Sequence, residues 1–207
     1  MIALIANKSL WLTNIQVART GGYYQGKYLP EFIYNKYYKK LPVIYDFGIT
    51  PENYKITGTT VDEIRLNLGL KTIKFMVPDV GGTSLCCEKI NIIDSALLTN
   101  QYLAKHGYDN FGILLEKERP DIIETHSIWS SVTKIYSEQY FQNNYIPLIA
   151  DMSFLWLNKK YLEILIKQGS LEKISKYNIP KKTRYLGHPI DNNFLERYSG
   201  DIYTFYE

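Results

Sequence analysis

The chain has 207 residues, of which 45% are hydrophobic and 22% are charged. This composition is close to the average of soluble globular proteins and argues against a disordered chain. The net charge of +3 comes with lysines in scattered pairs rather than in one basic stretch, so nucleic acid is not predicted as a partner. No run of about 18 apolar residues predicts a membrane-spanning helix.

The N-terminal part is rich in tyrosine. Residues 1–68 are predicted to form a stub and a tyrosine-rich helical region. The chain has 19 tyrosines, and a tyrosine joins an apolar ring to a polar tip, which suits half-hydrated surfaces such as sugar-binding grooves. Tyr23, Tyr24 and Tyr28 are therefore candidate substrate-binding residues. An AT-rich genome is the alternative explanation for the tyrosines.

A short helix is predicted before the first strand. Residues 51–60 have the composition of a loop, and Thr60 with Glu63 matches a capping box. The helix would continue over residues 61–68 and end at Gly69, because glycine favours the position after a helix.

Strands and helices are predicted to alternate from residue 72 onward. Short apolar runs bounded by turn residues predict strands at 72–77, 90–94 and 121–125 and a hairpin of 145–150 with 154–157. Helices are predicted at 96–105, 111–117, 130–140, 161–167 and 171–177, followed by a polar tail over 180–207. The alternation indicates an α/β layered sandwich with a small mixed, partly parallel sheet flanked by helices, plus a helical C-terminal extension. The predicted divisions are 1–68, an α/β core over 69–160, and an extension over 161–207.

A glycine pair follows the first predicted strand, in Asp79-Val-Gly-Gly-Thr-Ser84. Glycines in this position can hold phosphate on backbone N–H groups, so Asp79, Gly81 and Gly82 are candidate substrate-binding residues. The segment has neither the dinucleotide-binding fingerprint nor the P-loop pattern. A tight turn between two strands is the alternative interpretation.

No residue is assigned to catalysis, but three side chains are candidates. His126 follows a strand beside Glu124, and the carboxyl ends of strands in α/β sheets open into crevices. Asp79 and Asp94 flank the glycine turn, and paired carboxylates can perform glycosidase-type chemistry at the right separation. The alternative is that each is a hydrogen-bonded structural residue. No cofactor or metal site is predicted.

The two cysteines, Cys86 and Cys87, are adjacent. Neighbouring residues are not expected to close an ordinary disulfide, because the bridge needs a particular approach of the two backbones. Their spacing is not that of zinc ligands either. They are predicted to be small strand or turn residues.

Three segments together resemble a family. They are Thr-Ile-Lys-Phe-Met-Val-Pro-Asp-Val-Gly-Gly (72–82), Lys-Ile-Asn-Ile-Ile-Asp-Ser-Ala-Leu-Leu-Thr-Asn (89–100) and Glu-Arg-Pro-Asp-Ile-Ile-Glu (118–124). This pattern resembles the C-terminal soluble domain of GT-C multi-spanning membrane glycosyltransferases, of the mannosyl- and aminoarabinosyl-transferase type. Residues 145–159 also resemble the closing hairpin of this family, so the resemblance covers roughly residues 69–160. The chain departs from it at residues 95–100, where the family more often has Gly-Leu-Thr-Asp.

The resemblance implies a domain on the extracytoplasmic face of a bacterial membrane that caps or shapes an active site. The catalytic acidic residue would lie outside this chain. The implied partners are the transmembrane portion of the parent protein and a polyprenyl-phosphate sugar or glycan acceptor. Two alternatives stay open. One is a stand-alone glycan- or lipid-binding module that uses the tyrosines of residues 23–38, and the other is a small soluble hydrolase-type enzyme with His126, Asp79 or Asp94 in a cleft.

Overall fold

The computed structural model describes most of the chain after residue 50. The described ranges are 51–78, 80–84, 86–96, 99–125, 127–150, 153–179 and 198–206. Several residues singled out from the sequence lie outside these ranges, namely Tyr23, Tyr24, Tyr28, Asp79 and His126. The part of the helical region predicted before residue 50 also lies outside them.

One seven-stranded sheet organises the described residues, with the order β2-β1-β3-β5-β4-β7-β6. Strand β1 pairs in parallel with β2 and β3, and β4 pairs in parallel with β7. The pairs β3–β5, β4–β5 and β6–β7 are antiparallel. The predicted mixed, partly parallel sheet is therefore confirmed. The strands are β1 (Ile73–Val77), β2 (Ile90–Asp94), β3 (Ile122–Glu124), β4 (Tyr145–Ala150), β5 (Ser153–Asn158), β6 (Leu171–Ile174) and β7 (Ile202–Phe205).

Helices pack on both faces of the sheet. They are α1 (Pro51–Asn67), α2 (Val80–Thr83), α3 (Gln101–His106), α4 (Phe111–Glu118), α5 (Ser127–Thr133), α6 (Gln139–Asn144) and α7 (Leu162–Lys167). Since successive side chains of a strand point to opposite faces, β1 contributes Phe75 to the core shared with α1 and α7, and Met76 to the core shared with α3, α4 and α6. This arrangement confirms the predicted layered sandwich.

Helix α1 is longer than predicted. The loop predicted at residues 51–60 is wrong, because the helix already begins at Pro51. Thr60 is not a cap: its hydroxyl donates to the carbonyl of Ile56 at 3.2 Å, inside the helix. The helix sequence has only a weak amphipathic pattern, but burial of Val61 and Ile64 against the sheet stabilises the helix. The predicted end is confirmed, since Gly69 has φ +65° and donates to a carbonyl of the last turn.

The region after residue 160 contains strands as well as a helix. The predicted helix over 161–167 is confirmed as α7, but the one predicted over 171–177 is wrong, since residues 171–174 form β6. Leu171 and Ile174 would share one face of a helix, whereas in β6 they pack into the two opposite cores. The predicted polar tail contributes β7, which supplies the hydrogen bonds that hold β6. The sheet therefore crosses the division predicted at residue 160.

Three local predictions are corrected by the chain's turns. Gly81 and Gly82 lie in the single helical turn α2 rather than in a tight turn between strands. The helix predicted over 130–140 is divided into α5, a 3₁₀ turn and α6, with Lys134 in the left-handed region at φ 52°. Cys86 and Cys87, which do lie in a turn segment, are joined by a disulfide, contrary to expectation. The turn that leads from α2 into β2 brings their sulfur atoms together.

Gly58 is required where α1 crosses the turn after α2. A Cβ at this position would lie 2.5 Å from the Cys86 sulfur and 2.8 Å from the carbonyl oxygen of Thr83. Alanine usually stabilises a helix interior by roughly 0.5–1 kcal/mol over glycine, but here a backbone oxygen stands in its way. We expect Gly58→Ala to lower the free energy of unfolding by about 1–3 kcal/mol, measured by urea denaturation.

Gly112 in α4 is the matched control. A Cβ there would meet only the far end of the Glu138 side chain, which can rotate away. Gly112→Ala is therefore expected to leave the unfolding free energy unchanged or raise it by roughly 0.5–1 kcal/mol. Equal effects of the two substitutions would contradict the close approach of α1 to the turn.

Candidate functional site at the carboxyl edge of β1, β2 and β3

The carboxyl ends of β1 and β3 form a switch point in the sheet. From β1 the chain moves to β2 on one side, whereas from β3 it moves to β4 and β5 on the other side. Because these connections diverge, a crevice is expected at the two strand ends. Ligands of open α/β sheets bind in such crevices, so this edge is the candidate functional site.

Asp94 lies at this edge of the sheet. It ends β2 opposite Val77, and its residue surface is only 4% exposed. One carboxylate oxygen accepts the N–H of Ala96 at 2.7 Å, and the other accepts both the N–H and the hydroxyl of Thr99. These donors offset the cost of burying a carboxylate. Asp94 thus fixes the loop that leaves β2.

Asn100 connects this loop to α3. Its side-chain amide donates to the main-chain oxygen of Asp94 at 2.8 Å. Its side-chain oxygen accepts the N–H groups of Tyr102 and Leu103 at 3.0 and 3.2 Å, which makes Asn100 the N-cap of α3. The Asp…Thr-Asn sequence thus encodes a strand end, a loop and a helix start.

Glu124 lies in the wall of the crevice. It ends β3, is 3% exposed, and lines a cavity together with Ser95, Thr125 and Ser130. The cavity volume is about 10 Å³, which is room for one water molecule rather than a substrate. In the sequence, Glu124 was only the neighbour of His126. Its position at the end of an apolar strand was the one signal that could have identified it.

A chain of hydroxyl groups lies behind the cavity. The indole N–H of Trp156 donates to the hydroxyl of Thr125 at 2.8 Å. That hydroxyl lies 3.0 Å from the hydroxyl of Tyr136, to which Ser130 donates at 3.2 Å. Since an indole nitrogen can only donate, Thr125 must accept from it. The network connects β3, α5 and β5, and it was not predicted from the sequence.

Asp121 performs a similar role at the opposite, amino edge of the sheet. One carboxylate oxygen accepts from the Lys160 ammonium and from the Tyr161 hydroxyl, both at 2.7 Å, and the other accepts the N–H of Lys74 at 2.8 Å. Burial lowers the pKa of Lys160, but the hydrogen bonds to Asp121 and Tyr161 outweigh it and raise the pKa. Asp121 therefore joins β1 to the segment after β5.

The structure separates the predicted site residues that it describes. Asp94 lies at the carboxyl edge and is committed to its loop. Gly81 and Gly82 lie in α2, which packs against α1. Ligand binding by the glycines and by Asp79, Tyr23, Tyr24 and Tyr28, and catalysis by His126, stay predictions.

Among the described residues, no group of three His, Cys, Asp or Glu side chains could hold a metal ion. In the same ranges, no helix has the length and apolar character needed to cross a membrane. Comparison of the chain with family models, curated proteins and solved structures finds no match. The resemblance to GT-C domains therefore depends on the sequence segments alone.

The loop held by Asp94 gives a test of stability. Asp94→Ala leaves the buried N–H of Ala96 without an acceptor and removes both bonds to Thr99, so we expect the free energy of unfolding to fall by about 1–3 kcal/mol. Asp94→Asn keeps one acceptor oxygen and should lose about half as much. Asp109→Ala, at an exposed position in the following turn, is the control and should change stability by no more than about 0.5 kcal/mol. The free energies of unfolding of the three variants are measured by urea denaturation. Equal values for Asp94→Ala and Asp109→Ala would contradict the structural role of Asp94.

Tyr145 makes stability depend on alkaline pH. Its hydroxyl donates to the carbonyl of Pro120 at 2.7 Å, and burial raises its pKa far above the usual value. The folded state therefore holds this proton more tightly than the unfolded state, in which the pKa is about 10. Stability is unaffected below that pH and falls above it, by up to about 1.4 kcal/mol per pH unit.

Tyr145→Phe removes this proton. We expect a shallower loss of stability between pH 9 and pH 11, together with a loss of about 1 kcal/mol at neutral pH from the missing hydrogen bond. Tyr177→Phe, at a tyrosine that is 86% exposed, is the control and should keep the wild-type slope. An unchanged slope in Tyr145→Phe would contradict this assignment.

Proposed function

We propose that this chain is an accessory α/β domain of a membrane glycosyltransferase, acting on the extracytoplasmic side. In this role it caps or shapes the active site, while the residues that carry out sugar transfer lie in the membrane portion. The proposal starts from the resemblance of residues 72–82, 89–100 and 118–124 to GT-C domains.

The observation that carries the proposal is the use made of two carboxylates in those segments. Asp94 and Asp121 each accept three hydrogen bonds from within the protein. A carboxylate that activates an acceptor or protonates a leaving group needs an oxygen that faces the reacting atoms. Both groups instead fix loops at the ends of parallel strands. This supports the interpretation that the sequence pattern of these segments specifies a fold and not a reaction centre.

The size of the crevice supports the same interpretation. The cavity beside Glu124 has room for one water molecule, whereas pockets for small-molecule ligands commonly measure about 300–1,000 Å³. A hydrolase-type enzyme that used this edge would have to open it first. An accessory domain has no such requirement.

The proposal is tested by comparing the isolated chain with its membrane-bound form. We expect the purified chain to show no transfer or hydrolysis of a radiolabelled polyprenyl-phosphate sugar. An affinity-tagged chain recovered from detergent-solubilised membranes of the source cells should be joined to, or accompanied by, a multi-spanning protein, and that eluate should convert the same donor. Beads without the chain are the control. Turnover by the isolated chain, or an eluate that contains the chain but does not convert the donor, would refute the proposal.

A further inference from the structure

A second and larger cavity lies on the sheet face that carries α6. Its volume is about 250 Å³. It is bounded by α6 and the 3₁₀ turn before it, by β5 and the residue that follows it, and by the segment just before β7. The lining residues are Tyr136, Phe141, Gln142, Tyr145, Trp156, Lys159, Tyr198 and Ser199. This volume is below the range of about 300–1,000 Å³ for drug-sized ligands, so it suits a single ring with its substituents.

The wall of this cavity is aromatic. Trp156 is the centre of the group, with ring centroids of Phe141 at 4.7 Å, Tyr136 at 5.6 Å and Tyr198 at 6.2 Å. Phe141 stacks on Tyr145 at 5.4 Å. Contacts of this kind hold the rings in place and make a preformed wall. Trp156, Phe141 and Tyr145 are buried behind the wall, so the ring surface that faces the cavity comes from the half-buried Tyr136 and Tyr198.

The polar atoms of these aromatic residues are already used elsewhere. Trp156 donates to Thr125, and the hydroxyl of Tyr136 belongs to the same network. The hydroxyl of Tyr145 donates to a backbone carbonyl, and that of Tyr198 donates to the carbonyl of Asp201 at 3.4 Å. What the half-buried Tyr136 and Tyr198 offer to an occupant is consequently their carbon surface.

Hydrogen-bonding groups surround the mouth instead. Gln142, Lys159 and Ser199 are all exposed. The ammonium group of Lys159 donates to the carbonyls of Gln142 and Asn143 at 3.0 and 2.8 Å. An ammonium group has three hydrogens, so one remains for an occupant. Among the lining residues, all within the described ranges, Lys159 is the single cation and there is no carboxylate.

We propose that this cavity binds one pyranose ring that carries an anionic substituent, either a carboxylate or a phosphate. The C–H face of the pyranose would lie against Tyr136 and Tyr198. Its hydroxyls would bond to the hydroxyl of Ser199 and to the side-chain oxygen of Gln142, whose amide already donates to the carbonyl of Tyr136 at 2.7 Å. The anionic group would pair with Lys159. A flat aromatic acid would use the rings and the cation but would gain no hydrogen bond from Gln142 or Ser199, so we expect it to bind more weakly.

The test is a ligand-detected NMR titration of the full 207-residue chain. The probes are glucuronate and glucose 6-phosphate, with glucose and benzoate as comparisons. We expect saturable binding of at least one of the two anionic sugars, tighter than that of glucose and of benzoate. The probe that binds more tightly identifies the substituent as a carboxylate or a phosphate.

Three variants locate the binding. Tyr198→Ala removes a half-buried ring of the wall and should weaken binding about ten-fold. Lys159→Met should weaken binding of the anionic sugar by up to about five-fold and leave that of glucose unchanged. Tyr177→Ala, at an exposed tyrosine away from the cavity, should bind like the wild type. Thermal unfolding of each variant checks that it is folded, and Gln142→Ala, at an exposed position, replaces Tyr198→Ala if that variant is not.

The proposal is overturned if neither anionic sugar binds, if benzoate binds as tightly, or if binding survives in both Tyr198→Ala and Lys159→Met. It is independent of the proposed function, because the titration uses the isolated chain and the proposed function is tested by turnover of a lipid-linked donor. Either proposal can fail without the other.

Discussion

A buried carboxylate needs donors, and at the end of β2 this requirement organises the surrounding chain. Asp94 has its donors in the backbone and side chain of the loop that follows, so the loop must fold back on the strand. That position brings Asn100 to the start of α3, where it caps the helix. The helix then packs Leu103 into the core beneath it. Removal of the charge would release the strand end, the loop and the helix together, because each depends on the one before.

Asp121 applies the same physical rule at the other edge of the sheet. Its donors come from β1 and from the segment after β5, so it joins parts of the chain that are 47 and about 40 residues away. The two carboxylates thus hold both ends of the parallel strands. The Lys160 side chain is 51% exposed, so its ion pair with Asp121 adds little net stability. Asp94 and Asp121 thus mark the ends of strands in the sequence.

The sequence predicted those parts of the fold that depend on local chemistry. The strands β1 and β2 are short apolar runs between turn residues, and Gly69 ends α1 because of its positive φ. The failures are non-local. Nothing near Leu171 shows that residues 202–205 will pair with it, and α1 depends on the burial of Val61 and Ile64 against the sheet. The sequence predicted the position of the crevice but not the side chains that line it. The hydroxyl network there joins Thr125 to Trp156, which are 31 residues apart in the chain.

The position of β7 has a consequence for the order in which the sheet assembles. Residues 202–205 lie between β4 and β6 and pair with both. During synthesis on a ribosome, β4 and β6 can be complete while the strand that separates them is still inside the exit tunnel. Until it emerges, the facing edge of β4 has unpaired N–H and C=O groups, which are open to pairing with other chains. Completion of the sheet is thus a late step of synthesis.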